Sequence, residues 1–435
     1  MIHYILQSLY EGSIIMFQKL FGSYDLKTEL TAGMSVFLAM IYIVPLNALI
    51  LSTAGMPYDA VVTATALITI LATATNAIYA KTPIALSVGM GLNAYFTFGL
   101  VKGLGMTWQS ALGVVFASGI IFILLSLSPF RRIALQQIPL DIRRSIAAGI
   151  GAFLAFIALK QMAIVVPDPV TFVKLGTLSD PAVLLGLGVT MLIFILHANK
   201  VQGAFIIAII SGAIVAWMTG LSKIPDSLFS MPASIAPIAF ELDFKAFTSL
   251  AVIPVVIAFL VTDIFDSVGT LTGVGGKIFD KSEKLEKTLQ VDAFFSSIGA
   301  LLGLSTVTSF VESAVGVGQG GRTGLSTLFT AALFILTLFM LPLFASIHPN
   351  AIYPVLIVVG IFMFTDVAKI DFSDFATASS AFLTITMIPF TTSIATGLAL
   401  GMVNYVIIKT AKREFKDLNL ELLFLTLFSS LILFV

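Results

Sequence analysis

The chain has 435 residues, 58% of them hydrophobic and 11% charged, with a mean hydropathy of +1.06. Soluble domains carry roughly 25% charged and 45–50% apolar residues. The composition therefore excludes a soluble globular enzyme, a disordered chain and a secreted disulfide scaffold, and indicates an all-α polytopic membrane protein embedded in a lipid bilayer. Net charge is +0, so no basic surplus exists to neutralise phosphates, and no nucleic-acid partner is expected. The absence of cysteine removes disulfides, thiolate metal sites and cysteine nucleophiles. His3, His197 and His348 are too scattered for a His-rich metal site, and no cofactor motif appears.

Residues 1–30 read as an N-terminal interfacial segment. Within it, 1–22 lacks the charged start and small-residue cleavage site of a signal peptide and fits an amphipathic helix, with Met16 as an alternative start. A bilayer core of about 30 Å needs about 20 mostly apolar residues per helix. That criterion gives about fourteen spans: 31–52, 60–80, 84–101, 107–129, 145–162, 181–198, 202–220, 248–270, 288–303, 305–318, 323–346, 351–366, 373–390 and 391–409. The apolar tail 420–435 reads as an interfacial or docked helix, with a fifteenth span as the alternative. With the N-terminus in the cytoplasm, 18 Lys and Arg fall inside and 5 outside, accounting for all 23. This agrees with the positive-inside rule, and the expected location is the plasma (inner) membrane.

The polar stretch 221–247 divides the chain into two related halves. Segments 82–96 (TPIALSVGMGLNAYF) and 304–317 (LSTVTSFVESAVGV) are both short and broken, and lie about 220 residues apart. Asn93 and Glu312 correspond within one residue at that offset, and 37–51 matches 257–271. Seven spans is an odd number, so the halves insert with opposite orientation, the inverted-repeat signature of secondary transporters.

Three acidic residues lie within predicted spans, Asp263, Asp266 and Glu312; the other twenty read as loop or span-end residues. An ionised carboxylate at mid-membrane costs on the order of 3 kcal/mol. Such groups carry a proton for part of the cycle or face a wet cavity with a partner. Both behaviours suit proton-coupled transport; the competing reading is a structural hydrogen bond between helices. Asp263 and Asp266 share one helix face at i, i+3 and are not both ionised in a dry interior.

The broken segments are expected to expose backbone groups along Ala85–Val88 and Ser305–Thr308, with the following half-helices pointing positive ends at mid-membrane. Gly89 and Gly91 would let the backbone approach a ligand, or serve helix packing instead. Asn93, Ser309 and Glu312 offer the mixed donors and acceptors that suit a nucleobase edge. Phe310 could stack on a flat ring, or pack. The run GVGQGGRTGL (316–325) lacks a phosphate-loop pattern and reads as a flexible cytoplasmic link, with Arg322 at the headgroups. With no nucleotide-binding motif, transport is not driven by ATP through this chain.

At these residues the chain resembles the adenine/guanine/hypoxanthine permeases, the purine branch of the nucleobase–cation symporters related to uracil and xanthine permeases. The resemblance rests on TAGMSVFLAMIYIVPLNALIL (31–51), GMGLNAYF (89–96), TDIFDSVGTLTGVG (262–275), GALLGLSTVTSFVESAVGVGQGGRTGL (299–325) and AFLTITMIPFTTSIATGLALG (381–401). It implies the seven-plus-seven inverted repeat of uracil permease. Spans 1–4 (31–129) and 8–11 (248–346) would form a core domain. Spans 5–7 (130–220) and 12–14 (347–409) would form a gate, joined through an outside linker at 221–247 and followed by a tail at 410–435. It further implies that Asn93, Asp263 and Glu312 are essential, that Asp266 tunes which purine is accepted, that Glu312 fixes the base edge, and that Asp263 binds base or carries coupling. Relatives of this fold form homodimers through the gate. Two departures stand out: Asn47 is followed by Ala48 where the family has Asn-Pro, and Ser87–Val88 replace Ala-Pro before GMG.

The expected function is import of adenine, guanine or hypoxanthine by proton symport through alternating access, with sodium as the alternative coupling ion. The rivals are an inorganic-anion transporter of the sulfate or bicarbonate kind and a uracil or xanthine permease. A channel, a structural membrane protein and a membrane enzyme fit less of the pattern.

Overall fold

A computed structural model describes residues 21–22, 24–127, 139–250, 252–275 and 282–434. The expected N-terminal helix over 1–22, the alternative start at Met16, and Lys19, Arg131, Arg132, Lys277 and Lys281 of the charge count lie outside these, apart from Phe21 and Gly22.

The first half runs α1 (Leu26–Met40), α2 (Ile43–Thr53), α3 (Tyr58–Tyr79), β1 (Leu86–Val88), α4 (Met90–Ala94) with a π-helical continuation Tyr95–Val101, α5 (Trp108–Leu127), α6 (Leu140–Gln161), β2 (Val165–Asp168), β3 (Phe172–Leu175), α7 (Pro181–Ala198) and α8 (Ala204–Met218). The second runs α9 (Val252–Thr270), a π-helical turn Leu271–Gly275, α10 (Ser282–Leu301), β4 (Val307–Ser309), α11 (Ser313–Gly318), α12 (Gly324–Phe334), α13 (Leu341–Ser346), α14 (Pro349–Ile352), α15 (Pro354–Phe364), α16 (Phe375–Thr391) and α17 (Ile394–Ala411). A last helix, α18 (Leu420–Ser430), occupies the tail.

Eight of the described helical stretches are long and apolar enough to cross a bilayer, and four shorter apolar ones before the tail fall in predicted spans 3, 7, 11 and 13. The polar-ended α10 and the broken β4–α11 segment complete fourteen segments as a seven-plus-seven inverted repeat. Helices are not the whole of it: β1 pairs with β4, and β2 with β3 in a hairpin that hydropathy did not foretell.

Segment 1 breaks between α1 and α2 because Pro45 has no N–H to give the carbonyl four residues back and its ring crowds that turn. The chain resumes at Tyr42, the N-cap of α2. Other starts are set by side-chain caps: Asp180 accepts from the Ala182 and Val183 amides, Ser393 from Thr396, and Asn419 from Leu422.

Packing sorts the helices into two groups. In the first, α12 lies on α1 and α3, and α10 and α9 lie on α5. In the second, α15 and α16 lie on α6, α17 lies on α16, and α7 lies on α8 and α15. Lipid offers no hydrophobic drive between helices, so close approach over small residues matters. A Cβ on Gly151 of α6 would strike the Gly360 carbonyl of α15, and one on Gly360 would strike the Gly151 carbonyl. The tail helix α18 packs on both α17 and α9, so it bridges the two packing groups. Before it, the buried Lys409 ammonium is ringed by Asp374, Glu414 and Asp417 at 2.7–3.2 Å.

The Gly-rich run 316–325, expected as a flexible link, ends α11, turns over 319–323 and begins α12. Glu29 of α1, 3% exposed, accepts the Arg322 and Thr323 amides on Oε1 (3.1 and 3.2 Å) and the Ser326 amide on Oε2 (3.1 Å). It thereby caps α12 from across the core. Arg322 itself donates to the carbonyls of Val317 and Gly321 (2.6 and 2.8 Å). Each buried amide left unbonded costs about 1–3 kcal/mol. Glu29→Ala is therefore expected to lower the melting temperature in detergent clearly, with Glu29→Gln, which keeps one acceptor oxygen, falling between. Equal melting of all three proteins would show that the cap carries no stability.

Candidate substrate-binding site

The two broken segments meet in the middle of the core. β1 and β4 run antiparallel, with Leu86 opposite Ser309, Ser87 opposite Thr308 and Val88 opposite Val307. The ladder extends at both ends: Gly89 N donates to Thr306 O and Phe310 N to Ala85 O, each at 3.0 Å. The backbone groups expected to face a ligand are thus largely spent on each other. Within hydrocarbon an unpaired amide or carbonyl is costly, so two interrupted helices that cross are driven to pair their strands. The first amides of α11 are also satisfied, Ser313 N by Phe310 O (3.1 Å) and Ala314 N by Val311 O (2.9 Å). What remains for recognition at this end is side chains.

Glu312 stands at the N-cap of α11, 7% exposed. Its Oε1 accepts the Tyr42 hydroxyl at 2.5 Å, across 270 residues of sequence. Asp263 of α9 is fully buried; Oδ2 accepts from Ser296 Oγ at 3.0 Å, and Oδ1 has no hydrogen-bond partner. Asp266, one turn on and half-buried, interacts with the Thr308 hydroxyl.

A fourth carboxylate escaped the sequence reading. Asp292 lies near the start of the predicted ninth span and reads from the sequence as a span-end residue. The structure corrects this: α10 begins earlier, so Asp292 is fully buried under β4. Its Oδ2 accepts from Ser309 N (2.9 Å), Ser309 Oγ (3.2 Å) and Ser267 Oγ, while Oδ1 is unpartnered. Ser267 in turn reaches Thr308 Oγ1 at 2.9 Å, linking Asp292 to the strand that also meets Asp266. Ser296 fixes the same strand at Val307, accepting from Val307 N at 3.1 Å, while its single hydroxyl proton is shared between Val307 O at 2.9 Å and Asp263 Oδ2. Among the described residues, none of these four carboxylates has an ion pair with Lys or Arg.

The glycines and Asn93 take places that the pattern alone did not specify. Asn93 is fully buried in a polar chain: Asn47 Nδ2 donates to Thr65 Oγ1 (2.8 Å), Asn93 Nδ2 donates to Asn47 Oδ1 (2.6 Å), and Ser305 Oγ donates to Asn93 Oδ1. This chain ties segments 1, 2, 3 and 10 together. Gly89 sits under Thr308, whose Cγ2 would lie 3.2 Å from an added Cβ. Gly91 faces α6: a Cβ there would come 2.6 Å from Ile150 Cγ2. Phe310 is buried at 5% exposure, two residues before Glu312. Tyr42 looks like an ordinary residue of an apolar helix until its distant partner is seen, and Asn47, which stands out in the sequence only for the Ala48 that follows it, gains its place from Thr65 and Asn93.

Comparison with known proteins follows the same lines. Residues 27–400 match the model of the permease family designated Xan_ur_permease. A permease of Methanocaldococcus jannaschii is 43% identical over 400 residues, 91% of this chain and 92% of that one. The guanine/hypoxanthine permease PbuO of Bacillus subtilis is 37% identical over 93% of this chain and 96% of its own. The adenine permease AdeQ of Escherichia coli is 36% identical over 91% and 90%. Among solved structures, the transmembrane domain of a cyanobacterial bicarbonate transporter, BicA, superposes with a TM-score of 0.61 at 16% identity, covering 88% of this chain and 96% of that one. At that identity the likeness concerns the fold.

Asp292 holds β4 through three donors, so Asp292→Ala leaves the amide of Ser309 and the hydroxyls of Ser309 and Ser267 without their acceptor. At about 1–3 kcal/mol per unsatisfied buried group, the expected result is a lower melting temperature together with lost uptake. Asp292→Asn, which keeps one acceptor oxygen, is expected to recover much of the stability. Wild-type melting by Asp292→Ala would remove Asp292 from the support of the crossing.

Proposed function

The chain belongs to the permease family, and on that premise we propose that it is a secondary active transporter importing purine nucleobases by proton symport. The observation that carries the reading is Glu312: a buried carboxylate at the tip of the crossed segments, with no cationic partner among the described residues and one oxygen held only by a phenol. A carboxylate so placed accepts from the N–H groups of a flat heterocycle, which keeps its own hydrogen-bonding edge satisfied as water is removed. Phe310 supplies an apolar face beside it.

Coupling falls to the buried acids of segments 8 and 9. Asp263 and Asp292 each keep one oxygen without a hydrogen-bond partner. Two such groups in a dry interior are not ionised together, so a proton taken up with the base neutralises the site for its passage. Asp266, on the rim of the same group, tunes the choice of purine. The two packing groups support alternating access, with one group, the core, carrying the crossed segments past the other, the gate. The membrane is the plasma (inner) membrane, with the N-terminus cytoplasmic and a dimer through the gate domains. An anion transporter shares the fold, but an ionised Glu312 or Asp263 at the crossing would repel an anion.

Uptake of radiolabelled hypoxanthine and adenine into proteoliposomes, with and without an inward proton gradient, tests both substrate and coupling. Gradient-stimulated accumulation of either base is the expected result; correctly folded protein that takes up neither overturns the purine reading. Glu312→Gln is expected to abolish uptake at unchanged expression, and normal uptake by it removes Glu312 from the site. Phe310→Leu is expected to raise the apparent KM modestly, by a few-fold; an unchanged KM returns Phe310 to packing.

A further inference from the structure

We infer that Tyr42 is a built-in competitor for the substrate at Glu312: its phenol occupies the carboxylate oxygen that a purine N–H takes on binding. The inference rests on the reading of Glu312 as the base-binding carboxylate and adds a residue that neither composition nor repeat symmetry pointed to.

Three observations carry it. First, the Pro45 break ends α1 at Met40 and starts α2 at Ile43, so the side chain of Tyr42 leaves the chain at an interruption, opposite the two broken segments. Second, the phenol Oη donates to Glu312 Oε1 at 2.5 Å, and both groups are buried, at 1% and 7% exposure. A hydroxyl is a single donor on one oxygen, the same chemistry that one ring N–H would present. Third, the Tyr42 ring is wedged edge-on against Phe205 of the gate helix α8, with ring centroids 5.1 Å apart and planes at 63°. Phe205 continues to Phe362 of α15 at 6.5 Å. The ring is therefore held in place by the gate, while only its hydroxyl meets the carboxylate.

A carboxylate buried without a cation needs a donor. Here Tyr42 supplies it, and an arriving base would replace it. The affinity measured for a base is then the difference between two hydrogen bonds to the same oxygen.

Removing the hydroxyl alone tests this. Equilibrium binding of radiolabelled hypoxanthine would be measured on purified wild type, Tyr42→Phe, Glu312→Gln and the double variant in lipid nanodiscs. A hydrogen bond to a charged group is worth enough to shift binding roughly tenfold. Tyr42→Phe is expected to bind about tenfold more tightly than wild type, an effect lost in the Glu312→Gln background. Unchanged binding overturns the inference, and so does weaker binding, which would make Tyr42 a direct ligand of the base. Wild-type binding by Glu312→Gln instead overturns the reading of Glu312 itself, whatever Tyr42 does. Should Tyr42→Phe fail to fold, ultraviolet resonance Raman of wild type with saturating hypoxanthine decides. One of the 9 tyrosines leaving a strong-donor state supports the inference, and no change among them overturns it.

Discussion

The demand that every backbone polar group in a bilayer find a partner governs this structure. A continuous helix meets the demand alone. A helix that stops at mid-membrane to make room for a site does not. Here two interrupted segments, one from each half, meet it for each other by pairing Leu86–Val88 with Val307–Ser309. The short ladder is thus a condition for having a site in the membrane at all. Much of the polar inventory nearby is in its service: Ser296 and Asp292 hold β4, and Thr69 and Thr73 meet Ser87 and the Leu86 backbone.

This division of labour explains why so many buried polar groups surround so few that are free to act. Asn93, Asn47, Thr65 and Ser305 form a closed chain, and their hydrogen bonds largely satisfy one another. The carboxylates differ. Asp263 and Asp292 each keep an oxygen without a hydrogen-bond partner, and Glu312 is held by a single phenol across two domains' worth of sequence. Groups left short of partners in a dry interior are those whose protonation and occupancy can change at modest cost.

Much of this was legible in the sequence, for physical reasons. Hydropathy located the spans because the bilayer imposes length and apolarity. Segment 6 was placed at 181–198 and is Pro181–Ala198 because Asp180 and Pro181 mark its start. The repeat offset aligned Asn93 with Glu312 because both follow a broken stretch. What stayed hidden depends on contacts between distant residues. Asp292 lay close to a predicted boundary, and hydropathy windows place boundaries poorly. Tyr42 is one aromatic in a run of apolar residues, and only the position of Glu312 gives its hydroxyl meaning. The GGRTGL turn read as a flexible link because glycine permits motion. In the fold its glycines permit contact instead, and Glu29 fastens it from another helix.

The antiparallel register of β1 and β4 places a local twofold axis through the crossing, near Ser87 and Thr308. A frame with such an axis presents the same backbone from either side. A fused two-ring heterocycle has no such axis, so a symmetric frame alone could not tell one of its edges from the other. The side chains break the tie: the first half offers an amide already engaged in a closed chain, the second a carboxylate held by one phenol. On the proposed reading, handedness of recognition would come from unequal decoration of an equal scaffold. Moving that carboxylate to the matching place in the first half would be expected to turn the ligand over rather than abolish the frame that holds it.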